Sequence, residues 1–364
     1  MSSMRGAPLV SIIVPVFNGE QFLRESLDSI VAQTYPQTEV LVMDDASTDG
    51  TQPIVKSYGD YVRYYRQSIT RGIYGNTNDG IGMARGEHIA VYHADDLYHP
   101  GIVEREVAFL REHPSAGAVF CQDVFMDLRG VEVGRLELPP EVRGGRPLEF
   151  PAIFNALLKY KNRILRCPSS MVRTSVYRDV GRYRDQEFRN TSDLEMWLRI
   201  ARKYPIGILE EYLLWYRHGH GSSAQRYHHL RTEPERYFQI MDLYLSAGGL
   251  AVATAEALTA YEAHRAEDHL TCAVNHYIRA ERAKARAALR RVRADRILGS
   301  PEVQRWRLLC LFLVLQGLSR IPRSAVVAGL LYQRRYGTLK PGMGRPRLPL
   351  ALRRGVGAAK HPLV

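Results

Sequence analysis

Residues 9–45 read LVSIIVPVFNGEQFLRESLDSIVAQTYPQTEVLVMDD, and this stretch decides the predicted fold. Two short apolar runs, Leu9–Phe17 and Glu39–Met43, are rich in β-branched residues, which is typical of buried strands. Between them, Gln21–Gln33 has apolar residues at helical spacing. Strand, helix and strand in this order form a βαβ unit, and its crossover is right-handed in nearly all known proteins. The pattern therefore predicts a parallel sheet.

The alternation of strands and helices continues downstream. Further strands are predicted at Val62–Tyr65, in a run that ends at Asp95, and at Ala118–Phe125, which brings the expected count to five. Helices are predicted near Asn76–Arg85 and from Pro100, a residue that suits a first turn because it has no N–H to leave unsatisfied. The predicted fold class is α/β, with a mostly parallel central sheet flanked by helices and followed by an α-helical C-terminal region.

Aspartate pairs follow two of the predicted strands. Asp44 and Asp45 end the second strand, and residues 89–96, IAVYHADD, end in Asp95 and Asp96. In open α/β sheets ligands bind beyond the carboxyl ends of the strands. Mg²⁺ and Mn²⁺ prefer carboxylate oxygens together with substrate phosphates. Taken alone, the second pair is equally consistent with a solvated Asp-rich turn or a helix cap.

The glycine-rich signatures of phosphate binding are missing from the sequence. It contains neither a Walker loop nor a G-x-G-x-x-G fingerprint. The phosphates of a bound nucleotide would therefore be neutralised mainly by a metal ion and by basic side chains.

Four segments resemble, in order, the motifs of the family 2 inverting glycosyltransferases. They are residues 11–51 (SIIVPVFNGEQFLRESLDSIVAQTYPQTEVLVMDDASTDGT), 76–96 (NTNDGIGMARGEHIAVYHADD), 192–201 (SDLEMWLRIA) and 213–223 (LLWYRHGHGSS). The resemblance covers about residues 8–224 and implies the nucleotide-diphospho-sugar transferase fold, GT-A. It also implies a nucleotide-diphospho-sugar donor, a glycan or lipid-linked acceptor, and Mg²⁺ or Mn²⁺ as cofactor.

The resemblance assigns binding roles to residues near the two aspartate pairs. The turn after the first strand and the aspartates after the second are implied to hold the base and ribose of the donor. The implied nucleotide-sugar contacts are Pro15, Val16, Phe17, Asp44, Asp45, Asn78, Asp95 and Arg217, and the implied metal ligands are Asp96 and Asp95.

The metal motif departs from the family pattern. The family often has Asp-x-Asp-Asp, whereas this chain has His93-Ala94-Asp95-Asp96, so the first aspartate is replaced. The resemblance then implies ribose contact by Asp95 and metal ligation by Asp96. His93 is either a softer metal ligand or a polar residue at the strand end. The second interpretation is favoured, because imidazole suits Zn²⁺ better than Mg²⁺ or Mn²⁺.

The third motif contains the candidate catalytic base. Asp193 stands just before apolar residues at helical spacing, which predicts a helix over Thr191–Arg202 with Asp193 near its first turn. An ordinary helix cap also explains an aspartate there. The resemblance instead implies that Asp193 takes the proton of the acceptor hydroxyl in a single inverting displacement. The acid that usually precedes this aspartate is replaced by Ser192.

The fourth motif follows a predicted strand at Leu213–Tyr216. Relatives often carry Tyr-Arg-x-His here, whereas this chain continues with Arg217 and has its histidines at His218 and His220. A loop at this place could close over the diphosphate, with Arg217 or a histidine as the phosphate contact. Ordinary polarity of an exposed loop is the alternative explanation.

The formal net charge of +12 is concentrated in the C-terminal quarter. Residues 277–364 contain 20 Lys and Arg against 3 Asp and Glu, whereas residues 1–276 contain 30 against 35. Such asymmetry indicates an anionic partner, either nucleic acid or a membrane surface. Within this region, Leu308–Leu315 is apolar and flanked by arginines. It is too short to span a bilayer, but a basic helix with an apolar face can lie among anionic headgroups. Packing on the catalytic domain is the alternative.

The predicted organisation is a GT-A domain over residues 1–230, an α-helical region over 231–336 and a basic Gly/Pro/Arg tail over 337–364. No secretory signal is recognised, because Pro15 and the turn at Asn18 favour a strand for the N-terminal apolar run. Four scattered cysteines lack metal-type spacing and fit a reducing compartment. The predicted localisation is cytoplasmic, with a peripheral position on the inner face of the membrane as a further hypothesis.

Three functions compete. The leading one is a non-processive glycosyltransferase that builds a surface polysaccharide or glycolipid. A processive synthase on the same fold is disfavoured, because it usually carries Gln-x-x-Arg-Trp and membrane spans, and residues 304–306 are only a near match in spacing. A nucleic-acid-binding protein would explain the basic tail. No recognised nucleic-acid motif accompanies that charge, so no nucleic-acid partner is expected.

Overall fold

A computed structural model of the protein describes residues 6–219, 230–298, 302–320 and 324–336. The chain divides into two compact units. The first comprises residues 1–222 with 240–253, and the second comprises residues 223–239 with 254–364. This division passes close to the predicted boundary at residue 230, but residues 240–253 return to the first unit. The predicted tail, residues 337–364, lies outside the described residues.

The first unit is built on one mixed sheet with helices packed against it. Its strands are β1 (Val10–Val16), β2 (Thr38–Asp44), β3 (Arg63–Arg66), β4 (His88–Val91), β5 (Leu97–Tyr98), β6 (Ala118–Met126), β7 (Glu132–Arg135), β8 (Ser170–Arg173) and β9 (Ile206–Arg217). Its helices are α1 (Leu23–Val31), α2 (Thr51–Lys56), α3 (Ile73–Met83), α4 (Ile102–Glu112), α5 (Phe150–Tyr160), α6 (Thr174–Val180), α7 (Asp185–Phe188) and α8 (Ser192–Ala201). A further helix, α9 (Arg236–Ser246), contributes residues to both units.

The strand order is β3-β2-β1-β4-β8-β6-β9-β5, with β7 paired to β6. The first four strands are parallel, and Val10 of β1 lies opposite Thr38 of β2 and His88 of β4. Strand β8 runs antiparallel to both β4 and β6, whereas β6 and β9 are parallel. The predicted α/β class is confirmed. The expected count of five strands is wrong, because the sheet has nine within the described residues. Strands β5, β7 and β8 have only two to four residues and leave little periodic signal, and β9 was predicted only over Leu213–Tyr216, outside that count.

Two predicted element boundaries shift. The strand expected to end at Asp95 stops at Val91, although the Tyr92 N–H still donates to the Ile13 carbonyl oxygen at 2.9 Å. The carboxylates of the IAVYHADD segment therefore lie in a turn between β4 and β5. Helix α4 begins at Ile102 rather than at Pro100, because Gly101 occupies the capping position.

The core of the first unit lies between the sheet and its helices. Strand β1 is buried along its whole length, and the apolar faces of α1 and α4 pack against the sheet. Close packing requires glycine at Gly207 of β9, since a Cβ there would lie 2.1 Å from the Phe109 ring of α4. The parallel register places Asp44 opposite Val16 and Val91 opposite Ile13, so the aspartates that follow β2 and β4 lie at the same edge of the sheet.

The second unit is helical, as predicted for the region after the sheet. Beyond α9 it contains α10 (Ala255–Ile278), α11 (Arg282–Arg290), α12 (Ala294–Ile297), α13 (Glu302–Leu318) and α14 (Ala325–Tyr336). Buried Arg231 pairs with Asp268 of α10, which ties the segment before α9 to this unit. In α13, Leu308 and Leu315 are buried in the core of the unit. None of the helices in the described ranges is long and apolar enough to cross a membrane.

Candidate active site

The turns after β1 and β2 are hydrogen-bonded to each other at the edge of the sheet. The Asn18 N–H donates to Ser47 Oγ at 2.9 Å, and the Gly19 N–H donates to Thr51 Oγ1 at 2.8 Å. Pro15 and Val16, which end β1, are buried, whereas Phe17 is 51% exposed. Among these three predicted donor contacts, Phe17 is therefore the residue whose side chain, an aromatic ring, is accessible to a ligand.

Asp44 is buried at the end of β2 and has partners within the protein. Its Oδ1 accepts the Ser47 N–H at 2.8 Å, and its Oδ2 accepts the Tyr64 hydroxyl at 2.5 Å. Arg66 Nε lies 3.5 Å from the same Oδ2. The carboxylate therefore holds the turn after β2 in shape, and a donor ribose would have to share its oxygens.

Asp45 and Asn78 both hold the ends of α3 in place. The buried Asp45 carboxylate accepts the backbone N–H groups of Arg71 at 2.6 Å and Gly72 at 2.9 Å, just before the helix begins. The Asn78 amide donates to the Tyr183 carbonyl oxygen at 2.8 Å and accepts the Tyr183 N–H at 2.9 Å. The structure thus uses both predicted donor contacts to fix the position of α3.

His93, Asp95 and Asp96 form a cluster in the turn after β4, with one ligand atom from each within 4.8 Å of the others. Asp96 is 1% exposed, and its Oδ1 accepts the Arg217 N–H at 2.8 Å. Its Oδ2 has no hydrogen-bond partner among the described residues and lies 4.0 Å from His93 Nδ1. Burial and the charge of Asp95 raise the pKa of Asp96 well above its usual range. A buried carboxylate oxygen without a partner fits a divalent cation, and the position of His93 is compatible with a third ligand.

Arg217 is buried next to this cluster and forms hydrogen bonds with it. Its Nε donates to the Asp95 carbonyl oxygen at 2.9 Å, and one Nη lies 2.9 Å from Glu25 Oε2 of α1. The guanidinium also lies 4.4 Å above the Phe22 ring and 3.4 Å from the Asp127 carbonyl oxygen. The phosphate contact predicted for Arg217 would require the side chain to leave these partners.

An arginine that the sequence analysis missed lies on the other side of the cluster. Arg166 pairs with Asp123, which is buried in β6, and burial raises the pKa of Asp123 to about 6. Its guanidinium lies 4.7 Å from the Tyr216 ring centre and 5.3 Å from that of Phe125. The positive charge of Arg166 opposes the upward shift in the pKa of Asp96, so it faces the carboxylate cluster. No local pattern around residue 166 predicts this placement.

Asp193 lies in the first turn of α8 with two polar partners. Its Oδ2 accepts Asn162 Nδ2 at 3.0 Å, and the Tyr74 hydroxyl of α3 lies close enough to the same carboxylate to lower its pKa. Burial raises the pKa of Asp193 to about 6, against the lowering effect of these hydrogen bonds. The sequence predicted Asp193 but neither Tyr74 nor Asn162, because these residues lie 119 and 31 positions away in the chain.

Electrostatic contacts place Asp193 and the carboxylate cluster in the same part of the first unit. The pKa of Tyr74 is raised by burial first and then by the charge of Asp193, with a smaller contribution from Tyr216. The pKa of Tyr216 is raised by burial and by both Asp96 and Asp95. Tyr74 and Tyr216 therefore connect the candidate base to the candidate metal ligands.

The fourth motif is only partly described. The His218 N–H donates to the Met126 carbonyl oxygen at 2.8 Å, and the imidazole packs edge-on against Phe125 and Tyr216 at 5.0 Å. His218 thus continues the backbone pairing between β6 and β9. His220, and with it the predicted closing loop, lies outside the described residues.

An α/β sheet whose parallel strands end at a carboxylate cluster, with the partly buried Asp193 in the same unit, matches the architecture of the GT-A class. The chain belongs to glycosyl transferase family 2, whose model matches residues 11–181. EpsE of Bacillus subtilis, a protein named as a glycosyltransferase, is 32% identical over 201 residues, which are 54% of this chain and 68% of EpsE. The family resemblance seen in the sequence is confirmed.

Other relatives are longer than the matched region. An uncharacterised glycosyltransferase of Rickettsia typhi is 28% identical over 209 residues, covering 57% of this chain and 63% of that protein. One from Rickettsia felis is 29% identical over 210 residues, covering 57% of this chain and 34% of that protein. The chain therefore spans less than two thirds of the length of both.

Solved structures share the fold. TarS of S. aureus, residues 1–349 in complex with UDP-GlcNAc, has a TM-score of 0.56 at 19% identity, covering 90% of this chain and 92% of that chain. The mannosyltransferase PcManGT of Pyrobaculum calidifontis, in complex with GDP-Man and Mn²⁺, has a TM-score of 0.51 at 18% identity, covering 90% and 88%. These similarities confirm the predicted GT-A architecture.

Arg217→Met should lower the free energy of unfolding by about 2 kcal/mol or more, because buried carbonyl oxygens lose their donor. Glu25→Gln is the matched control, and it should cost at most about 1 kcal/mol because the Glu25 side chain is largely exposed. Denaturant unfolding of both variants measures the difference. If Arg217→Met has the same free energy of unfolding as the wild type, the guanidinium does not stabilise the fold. A phosphate contact then becomes the better explanation for the presence of Arg217.

Proposed function

We propose that the protein is a metal-dependent inverting glycosyltransferase. It moves a sugar from a nucleotide-diphospho-sugar to a hydroxyl of a glycan or lipid-linked acceptor, in the synthesis of a surface polysaccharide or glycolipid. The observation that carries this proposal is the pairing, in one region, of a carboxylate cluster suited to a cation with the partly buried Asp193, whose pKa is raised to about 6. Family membership supports it, as do the UDP-GlcNAc and GDP-Man held by two proteins of the same fold.

Donor and metal binding are assigned to the edge of the sheet where β1, β2 and β4 end. The exposed Phe17 ring offers a stacking surface for the nucleotide base, and Asp44 and Asp45 lie behind it. Asp95 and Asp96 would hold Mg²⁺ or Mn²⁺, and the Mn²⁺ complex of PcManGT supports this choice of ions. When bound, the ion stabilises the negative charge that develops on the leaving diphosphate.

Asp193 is the proposed general base. With a pKa of about 6 the carboxylate is ionised at neutral pH, yet it is basic enough to accept a proton from a hydroxyl that attacks the anomeric carbon. Asn162 holds one carboxylate oxygen at 3.0 Å, and an acceptor hydroxyl would share the carboxylate with Asn162 and Tyr74. Attack from this side in one displacement inverts the anomeric configuration.

Asp96→Ala should abolish metal-dependent transfer while the protein stays folded. The loss should exceed the 10- to 100-fold that removal of a supporting residue of a metal site typically causes. Transfer measured against Mn²⁺ concentration, with circular dichroism as the folding check, tests this expectation. Asp95→Ala should mainly weaken nucleotide binding. A folded Asp96→Ala protein with unchanged Mn²⁺ dependence would remove Asp96 from the metal site.

Asp193→Asn should bind the donor normally and lose acceptor-dependent transfer by roughly 100-fold or more, the scale of general-base removal. In the wild type, kcat should rise with pH through about 6, because the base acts only when ionised and its folded-state pKa lies near that value. Glu187→Gln, an exposed carboxylate in the neighbouring α7, is the control and should keep wild-type kinetics. Full transfer by Asp193→Asn would mean that another group is the base.

The C-terminal helices provide a surface for the proposed membrane contact. Trp306, Cys310, Leu313 and Val314 recur at helical spacing along α13 and are exposed, with Trp306 at 64% and Leu313 at 67%. The opposite side of α13 packs into the core of the second unit through Leu308 and Leu315. The apolar run thus contributes buried residues to the core of the second unit and also keeps an exposed apolar face.

Charge favours an anionic lipid surface as the partner of this exposed face. Arg307 and Arg320 are exposed near the two ends of α13, and exposed Val326 and Leu330 extend the apolar surface on α14. Each basic residue near an anionic leaflet contributes about 1 kcal/mol, in addition to the burial of apolar side chains and a tryptophan at the interface. Lipid-linked acceptors would be found at such a surface.

Replacing Trp306 and Leu313 together with serine should reduce sedimentation with vesicles that contain phosphatidylglycerol, and should leave transfer to a soluble acceptor unchanged. Leu250→Ser is the matched control, since Leu250 is an apolar residue of the first unit with 63% exposure. The wild type should bind neutral vesicles weakly and should release anionic ones at high salt. Failure of the wild type to sediment with anionic vesicles at low salt would overturn the proposal, and salt-dependent binding to DNA instead would favour nucleic acid as the partner.

A further inference from the structure

The first turn of α3 connects the donor side of the site to the candidate base. Tyr74, in this turn, is 7% exposed, and its hydroxyl lies close to the Asp193 carboxylate and lowers the pKa of that group. Its ring stacks on Tyr183, with the two ring centres 5.0 Å apart. Burial and stacking together leave the Tyr74 hydroxyl little freedom to move away from Asp193.

The backbone just before Tyr74 is held by Asp45. The two oxygens of this carboxylate each accept one backbone N–H, from Arg71 and from Gly72. Gly72 has a φ of +78°, a conformation that favours glycine, and it is the capping residue of α3. Its carbonyl oxygen then accepts the Asn76 N–H at 2.9 Å, which begins the helix. The position at which α3 starts, and hence the position of Tyr74, is therefore set by Asp45.

Tyr183, which stacks on Tyr74, is also held in place by hydrogen bonds. Asn78, one turn further along α3, hydrogen-bonds both the N–H and the carbonyl oxygen of Tyr183. The Tyr183 ring in turn packs edge-on against Trp197 of α8, at 5.9 Å between ring centres. Helix α8 also carries Asp193. Helices α3 and α8 are thus connected by ring packing at Trp197 and by the proximity of the Tyr74 hydroxyl to Asp193.

We infer that Tyr74 is a positioning residue for the general base, and that Asp45 acts through Tyr74 on the deprotonation of the acceptor. A residue assigned to donor binding would then also control the chemistry at the acceptor. The inference rests on the proposed role of Asp193 and adds to it a physical connection between the two halves of the site.

The connection has a chemical consequence. A hydroxyl that donates to a carboxylate stabilises the ionised form, so loss of the Tyr74 hydroxyl should raise the pKa of Asp193 further. The other groups that face Asp193 are Asn162, which cannot titrate, and Cys167, whose pKa is raised by burial so that the thiol stays neutral. Glu195, on α8 itself, is paired with Arg199. The Tyr74 hydroxyl is thus the titratable donor bound to the base.

The experiment compares Tyr74→Phe, Asp45→Asn and the double variant in the full-length protein, using kcat and donor KM as functions of pH. Tyr74→Phe should lower kcat at pH 6 by about 3- to 10-fold and move the acidic limb of the kcat profile upward by about half to one pH unit, the effect of one hydrogen bond. Donor KM should change less than about 2-fold. Tyr35→Phe is the control, because it removes a buried phenol hydroxyl that bonds Pro8 elsewhere in the first unit.

Asp45→Asn should raise donor KM and also move the kcat profile in the same direction, because asparagine cannot accept both backbone N–H groups. The double variant should show no larger pH shift than Tyr74→Phe alone. A wild-type pH profile in folded Tyr74→Phe would overturn the role of Tyr74. A change in KM without a pH shift in Asp45→Asn would overturn the role of Asp45. If Tyr74→Phe does not fold, the pH profile of Asp45→Asn decides the inference.

Failure of the proposed function gives a different result. If Asp193 is not the base, Asp193→Asn keeps its transfer activity and the acidic limb does not depend on Asp193. If Asp193 is the base and only the positioning is wrong, Asp193→Asn loses activity while Tyr74→Phe keeps the wild-type limb.

Discussion

The structure depends on the burial of carboxylates at the end of a parallel sheet. Asp44, Asp45 and Asp96 are each at most 3% exposed, and a buried charge is costly unless it is paired or hydrogen-bonded. Asp44 and Asp45 meet this requirement with N–H and O–H donors, which shapes the turns around them. Asp96 meets it with one oxygen only. Two of these carboxylates thus hold the turns at the edge of the sheet, and the third keeps one oxygen without a hydrogen-bond partner among the described residues.

The same constraint explains where the positive charges lie. Arg217 and Arg166 both lie near the cluster, and each is paired with a carboxylate and packed against at least one aromatic ring. Guanidinium groups suit such positions, because a planar, weakly hydrated cation can be buried against rings while its donors stay paired. Metal affinity and donor orientation would then be sensitive to residues that need not touch the substrate at all.

The two units contribute different physical properties. The first concentrates buried ionisable groups, of which Asp193 is poised near neutral pH. The second combines a helical core with exposed apolar side chains and much of the excess positive charge of the chain. Under the proposed function, attachment of the second unit to an anionic surface would restrict transfer to acceptors found there.

The sequence by itself determined the α/β class, the aspartate pairs and Asp193, because strand and helix periodicity and the order of motifs are local properties of the chain. It did not determine the short strands β5, β7 and β8, or the end of β4 at Val91, since a few residues carry no period. Tyr74, Asn162 and Arg166 became site residues only in the tertiary structure. Their contacts follow from strand register and helix packing over long separations in sequence, and no local pattern encodes them. For the same reason only the fold could show that Arg217, Asp45 and Asn78 already have partners within the protein.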